Sequence, residues 1–251
     1  MCGRYSLFTP PEELEDRFGA TFDWRFSARY NAAPSQRLPV ITDEVPEAFE
    51  RFEWGLVPDW ADDGATGIIN ARAETIDEKP SFRDAYDGRS PSAADTDGSR
   101  ETPAAGRCLV PADGFYEWVE TAEGKQPYRV AFADDRPFAM AGLWTRTEPG
   151  SASRQTGLDA FGGGADLEDD RGRPLETFTV VTTEPNDLVA DLHHRMAVVL
   201  EPDDERRWLT GDDPRDVLTP HPADDLRAYP VSTAVNDPST DVPSLIDPLE
   251  T

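Results

Sequence analysis

Apolar and polar residues alternate at every second position along several short stretches of this chain, and they recur at helical spacing only briefly. Tyr128, Val130 and Phe132, for example, interleave with Arg129 and Ala131, the signature of a strand with two unlike faces. The pattern predicts strands at Arg37–Ile41, Ala48–Trp54, Arg107–Pro111, Gly114–Glu120, Pro127–Ala133, Phe138–Trp144, Thr177–Thr183, Met196–Leu200 and Ala228–Thr233, after an extended Cys2–Phe8. Helices are few. One begins at Thr9-Pro10-Pro11-Glu12, with Thr9 as N-cap and Glu12 closing a capping box, buries Leu14 and Phe18, and stops at Gly19. Others are expected at Pro80–Tyr86, Glu184–Leu192 and Pro202–Leu209. Strands dominate without regular alternation of strand and helix, so the class is α+β with one sheet system.

Two segments break the pattern. Residues 87–106 are rich in Ser, Asp, Ala, Pro and Gly with almost no large apolar side chain, and about 147–175 contains Gly162-Gly163-Gly164. Both read as solvated acidic insertions. The triple glycine lacks the strand-turn-helix setting and the lysine of a phosphate-binding loop, which makes it a flexible linker. Residues 1–237 are expected to form a single domain, and 238–251 a loosely packed acidic tail.

Charge changes the picture. The chain of 251 residues holds 50 acidic and 24 basic residues, a formal net of −26, and all but Lys79 and Lys125 of the basic residues are arginine. The acids are scattered through every loop, which suits a protein kept soluble in molar salt, where the Debye length falls to about 3 Å. In that setting global charge is a poor guide to nucleic-acid binding, and individual arginines must be read instead. No stretch reads as a membrane span or a signal peptide, so a cytoplasmic location is expected. Only Cys2 and Cys108 are present, too few for a disulfide framework or a four-thiolate zinc site.

Candidate chemistry begins at Cys2. Once Met1 is removed, its amine and thiol form a 1,2-aminothiol, which closes on an aldehyde through an imine to a thiazolidine ring; the alternative is that a small second residue merely permits processing. Both groups titrate near neutrality, at about 8 to 8.5. Glu117 lies on a strand apolar on both faces, so it is either a buried carboxylate with a raised pKa suited to proton exchange or a strand end in water. His193-His194-Arg195 places two of the three histidines beside an arginine, offering a proton donor and a phosphate fork. Adjacent histidines without neighbouring ligands make a poor metal site, and His221, in a polar loop, reads as exposed. Asn70 and Arg72 alternate on one side of an extended segment, and Arg4 shares a face with Cys2. Trp60 and Trp118 are of a type that stacks on bases, although strand tryptophans are also core residues.

Seven segments then match one family in order: Met1-Cys2-Gly3-Arg4-Tyr5, Tyr30–Gln36, Trp54–Pro58, Asn70–Thr75, Arg107–Trp118, Ala141–Trp144 and His193–Met196. The chain resembles the SOS response-associated peptidase (SRAP) family, the abasic-site processing proteins, from Met1 to about Asn236. The resemblance implies a compact mixed, partly barrel-like β core flanked by a few short helices. It also implies covalent trapping of abasic sites in single-stranded DNA through a thiazolidine on Cys2, with an AP-lyase capability and removal of the residue before Cys2. By motif, Asn70 would position the ring-opened sugar, Glu117 would act as acid and base, and His193 would protonate the deoxyribose. Arg4, Arg72 and Arg195 would hold phosphates, with Trp118 and Trp60 near the bases. The family usually has proline where this chain has Ala197, which loosens the expected placing of His193 and Arg195.

The implied partner is single-stranded DNA carrying abasic sites, handled by a monomer without cofactor, metal or membrane. Two other classes remain open on the residues: an N-terminal-nucleophile hydrolase using the Cys2 thiolate, and a non-enzymatic DNA-binding module.

Overall fold

A computed structural model describes residues 2–58, 60–61, 65–88, 104–122, 124–147 and 174–249. Most of both predicted insertions, including the triple glycine, therefore lies outside the described residues. In chain order the elements are β1 (Tyr5–Leu7), α1 (Pro11–Phe18), β2 (Arg29–Ala32), β3 (Arg37–Thr42), β4 (Glu50–Trp54), β5 (Asn70–Arg72), α2 (Arg83–Tyr86), β6 (Ala104–Ala112), β7 (Gly114–Thr121), β8 (Gly124–Phe132), β9 (Phe138–Thr147), β10 (Leu175–Thr183), α3 (Asp187–Ala190), β11 (Met196–Ala197), β12 (Val199–Leu200), α4 (Pro202–Thr210) and β13 (Leu226–Pro230). The α+β class holds, with a partly barrel-like core and short helices. The expected single sheet system divides into two.

The first sheet closes on itself. Strands β10, β4, β3, β6 and β9 pair in that order, and β9 returns to β10 over Leu175–Val180. Closure leaves no free edge among these five strands. β5 and β11 add to the later part of β10, and β12 to the start of β9. The second sheet runs β13-β8-β7-β1-β2. The chain crosses between the two sheets at Asp113, between β6 and β7, and again in the short β8–β9 connection.

The core follows from the alternation. Phe115 on β7 faces the main apolar cluster with Tyr5, Trp54 and Phe178, whereas Tyr116 on the opposite face packs with Val231, Val235 and Leu245. That second cluster overturns the expectation of a loose tail. Leu245 is buried, Asp241 accepts from the backbone N–H groups of Tyr30 (2.6 Å) and Asn31 (3.0 Å), and Leu249 N donates to Pro230 O at 2.9 Å. A segment rich in Asp and Pro gives no periodic signal, yet one leucine and one carboxylate suffice to dock it.

Other boundaries shift for local reasons. α1 forms as expected and ends at Gly19 with φ 65°, but Pro10 is the N-cap and no side chain caps it. Thr9 instead donates to Asp113 Oδ1 at 2.5 Å, because that buried carboxylate also takes the Phe8 and Thr9 amides. The strand expected from Arg107 begins at Ala104, and the helices expected at Pro80 and Glu184 shrink to α2 and α3. α1 is tied to α4 by a two-point pair between Arg17 and Glu205, at 2.5 and 3.0 Å. No helix among the described residues is long and apolar enough to cross a membrane.

Candidate functional site

The N-terminal residues reach the site because β1 pairs antiparallel with β7, Tyr5 opposite Phe115 and Ser6 opposite Gly114, and Tyr116 N donates to Arg4 O at 3.0 Å. This register lays Cys2–Arg4 along Glu117 and Trp118. Cys2 is fully buried, its Sγ 3.8 Å from Arg4 O. From the other sheet, the parallel pairing of β5 with β10 sets Asn70 opposite Val180, and Asn70 Nδ2 donates to Cys2 O at 3.0 Å. Asn70 Oδ1 is buried and makes no hydrogen bond, leaving an acceptor for a ligand hydroxyl. An open cleft of about 700 Å³ lies over this junction, lined by Gly3, Arg4, Glu117, Trp118, Glu120, Lys125, His193 and Asn236.

Burial decides the reading of Glu117, which is 1% exposed. Desolvation raises its pKa to about 7, against the opposing pull of the chain's terminal amine. Burial likewise pushes the Cys2 thiol up, and the Glu117 carboxylate pushes it further, so the sulfur is a protonated thiol at neutral pH. His193 is displaced downward, mainly by burial. Its Nδ1 accepts from Arg195 N at 3.0 Å and lies 3.1 Å from Arg195 O. Nδ1 accepts the backbone N–H when it carries no proton and donates to the carbonyl when it does, so the ring is held in one place either way. The ring packs on His194, centroids 4.2 Å apart.

The expected DNA contacts separate into two groups. Arg4 lines the cleft, steadied by Val235 O at 2.9 Å and Asn31 Oδ1 at 3.4 Å. Trp118 lines it too, its Nε1 donating to Asn236 Oδ1 at 2.6 Å. Arg72 is exposed on β5 and Trp60 is 62% exposed, and neither lines the cleft. Arg195 is engaged within the protein: its fork meets Glu74 at 2.5 and 2.9 Å, and Nη2 also donates to Thr182 O at 2.6 Å. The pairing of Met196 and Ala197 with Thr183 and Thr182 fixes this segment without the usual proline. Reading the residues alone passed over Asn236, Asn31, Lys125 and Glu120. Asn31 stood in a quoted motif, but nothing in the sequence marks it as the support of Arg4, because its partners come from a segment about 200 positions away. Cys108 is buried and unbridged, as expected for a core residue.

A closed barrel apposed to a second sheet brings Cys2, the buried Glu117 carboxyl and His193 to one seam. The chain belongs to the SOS response associated peptidase (SRAP) family, whose model matches residues 1–238. It is 35% identical to abasic site processing protein YoqW of Bacillus subtilis, over 98% of this chain and 99% of that one. It is 27% identical to abasic site processing protein HMCES of Gallus gallus, over all of this chain and 78% of the relative. A solved protein from Bacteroides thetaiotaomicron shares the fold at a TM-score of 0.74 and 24% identity, covering 99% of this chain and 100% of that one.

Proposed function

We propose that this protein processes abasic sites in single-stranded DNA by forming a covalent thiazolidine between the ring-opened sugar and Cys2. The observation that carries the reading is the placing of Cys2 beside Glu117, a carboxyl whose pKa of about 7 lets it both take and give a proton near neutrality. With Met1 removed, Glu117 takes a proton from the Cys2 ammonium, and the freed amine adds to the aldehyde carbon. Protonated Glu117 returns that proton to the departing hydroxyl, giving water and a protonated imine. The thiol then adds to the iminium carbon, giving the thiazolidine with its ring N–H in place, while the thiol proton passes to the Glu117 carboxylate.

The other residues serve this sequence. His193 protonates the ring oxygen of the closed sugar to release the aldehyde, and Asn70 Oδ1 holds a sugar hydroxyl. Arg4 takes a phosphate in the cleft, Arg72 extends the backbone track, and Trp118 and Trp60 stack bases. Arg195 acts by holding the His193 turn, its fork being engaged by Glu74. The imine is also the point from which β-elimination of the 3′ phosphate proceeds, so lyase chemistry competes with ring closure. An N-terminal-nucleophile hydrolase needs a thiolate, and burial moves this thiol away from one. The acidic composition supports work in a high-salt cytoplasm.

The test is intact mass after incubation of purified protein with single-stranded abasic DNA, which reports loss of Met1 and adduct formation together. The expected result is a heat-stable adduct on a chain beginning at Cys2, absent from Cys2→Ala. An equal yield from Cys2→Ala sinks the mechanism.

A further inference from the structure

Away from the cleft, a buried histidine is held between two carboxylates, one just after β12 and one just before β13. His221 was expected in an exposed loop, and the structure buries it to 3% exposure, edge-on against Phe132 with ring centroids 5.0 Å apart. Its Nδ1 lies 3.4 Å from Glu201 Oε1 and its Nε2 lies 3.4 Å from Asp225 Oδ2. Nε2 is buried without a hydrogen bond, an arrangement proteins retain when the atom has another use. The loop is itself pinned, since Asn186 Nδ2 donates to His221 O at 2.7 Å while Asn186 Oδ1 caps α3 through Val189 N at 2.9 Å.

The topology gives this cluster a purpose. Glu201 directly follows β12, which pairs with β9 of the barrel, and Asp225 directly precedes β13, the edge of the second sheet. We propose that Glu201, His221 and Asp225 bind one first-row divalent transition ion, of the zinc or manganese kind, which fastens the barrel to the edge of the second sheet. One ligand atom from each residue lies within 4.8 Å of the other two. Bonds of about 2.0 to 2.2 Å require a closer approach. The carboxylate side chains supply it, being about half exposed at 47 and 50% and free to turn inward onto a ring that packing holds still. Asp225 and Nε2 form the near pair, and Glu201 closes from the Nδ1 side. The imidazole nitrogen favours zinc over magnesium or calcium, the two carboxylates also suit manganese, and the exposed carboxylate side leaves room for water ligands. None of the three residues lines the Cys2 cleft, so the ion's part is structural and independent of the proposed DNA chemistry.

The experiment uses the full chain, stripped with chelator and returned to buffer of high KCl. Zinc or manganese chloride is titrated in by calorimetry, thermal unfolding is followed in parallel, and magnesium chloride serves as control. One ion per chain is expected, with the midpoint raised by about 5 °C at saturating ion and no comparable effect of magnesium. Glu201→Gln with Asp225→Asn should lose both the stoichiometric ion and the shift while forming the abasic adduct at the unaltered rate. Should the double variant fold poorly, Asp225→Asn alone should weaken the ion at least tenfold. No stoichiometric uptake at millimolar ion overturns the proposal. Equal uptake by the variants overturns it too, placing the ion elsewhere on the acidic surface.

Discussion

The Nδ2 amide of Asn70 donates a 3.0 Å hydrogen bond to the carbonyl oxygen of Cys2. The residue thus fixes the peptide that follows Cys2 while its own Oδ1 stays buried without a hydrogen bond among the described residues. Asn70→Asp turns the donor into a second acceptor against that carbonyl. Adduct formation in single-turnover assays should slow by roughly tenfold or more, as expected for loss of about 1 to 3 kcal/mol of positioning. A variant as fast as the parent removes Asn70 from the site.

The acid–base role proposed for Glu117 is tied to stability through pH. Its pKa in the folded protein is about 7 against a reference of 4.5. The folded state therefore holds the proton more tightly, and stability falls as pH rises from about 4.5 through 7, with a cost near 3 kcal/mol above that window. Glu117→Gln should consequently unfold at a higher temperature than the parent at pH 8, with the difference vanishing near pH 4. The same variant should slow crosslinking by about 100-fold or more, because general acid–base catalysis is lost. Thermal scans at the two pH values and quenched crosslinking time courses measure both.

Arg195 tests whether the His193 turn is held by its fork or by the charge alone. Lysine keeps the charge but cannot reproduce the two-point contact with Glu74. Arg195→Lys should weaken initial DNA binding less than twofold while slowing adduct formation several-fold at pH values where His193 is the proton donor. A large loss of binding with an unchanged crosslinking step assigns Arg195 to phosphate instead.

Salt should act oppositely on folding and on encounter. With a formal net of −26, self-repulsion is screened as ionic strength rises, so the unfolding midpoint should climb between about 0.1 and 2 M KCl. Reversible affinity for single-stranded DNA should fall over the same range, with a log–log slope of about −0.7 per phosphate contact. The finished covalent adduct should be indifferent to salt. Fluorescence anisotropy with a Cys2→Ala variant separates the encounter from the bond.

The sequence by itself determined what depends on local order. Period-two alternation located most strands to within a few residues but missed β2, Gly19 marked the end of the first helix, and the position of Cys2 next to the initiator marked the one residue able to present amine and thiol together. The apolar flanks of Glu117 left a buried acid and a strand end in water both open, and only the fold chose burial. Tertiary structure decided whatever depends on partners distant along the chain. His221 is buried where it packs edge-on against Phe132, a residue distant along the chain. The acidic tail is docked because Asp241 finds two backbone amides on β2, and Arg195 meets Glu74 because β5 and β11 both lie along β10. A carboxylate or an imidazole carries no mark of its neighbours in its own segment. Its solvation, and with it its charge and chemistry, is set only when the two sheets close over it.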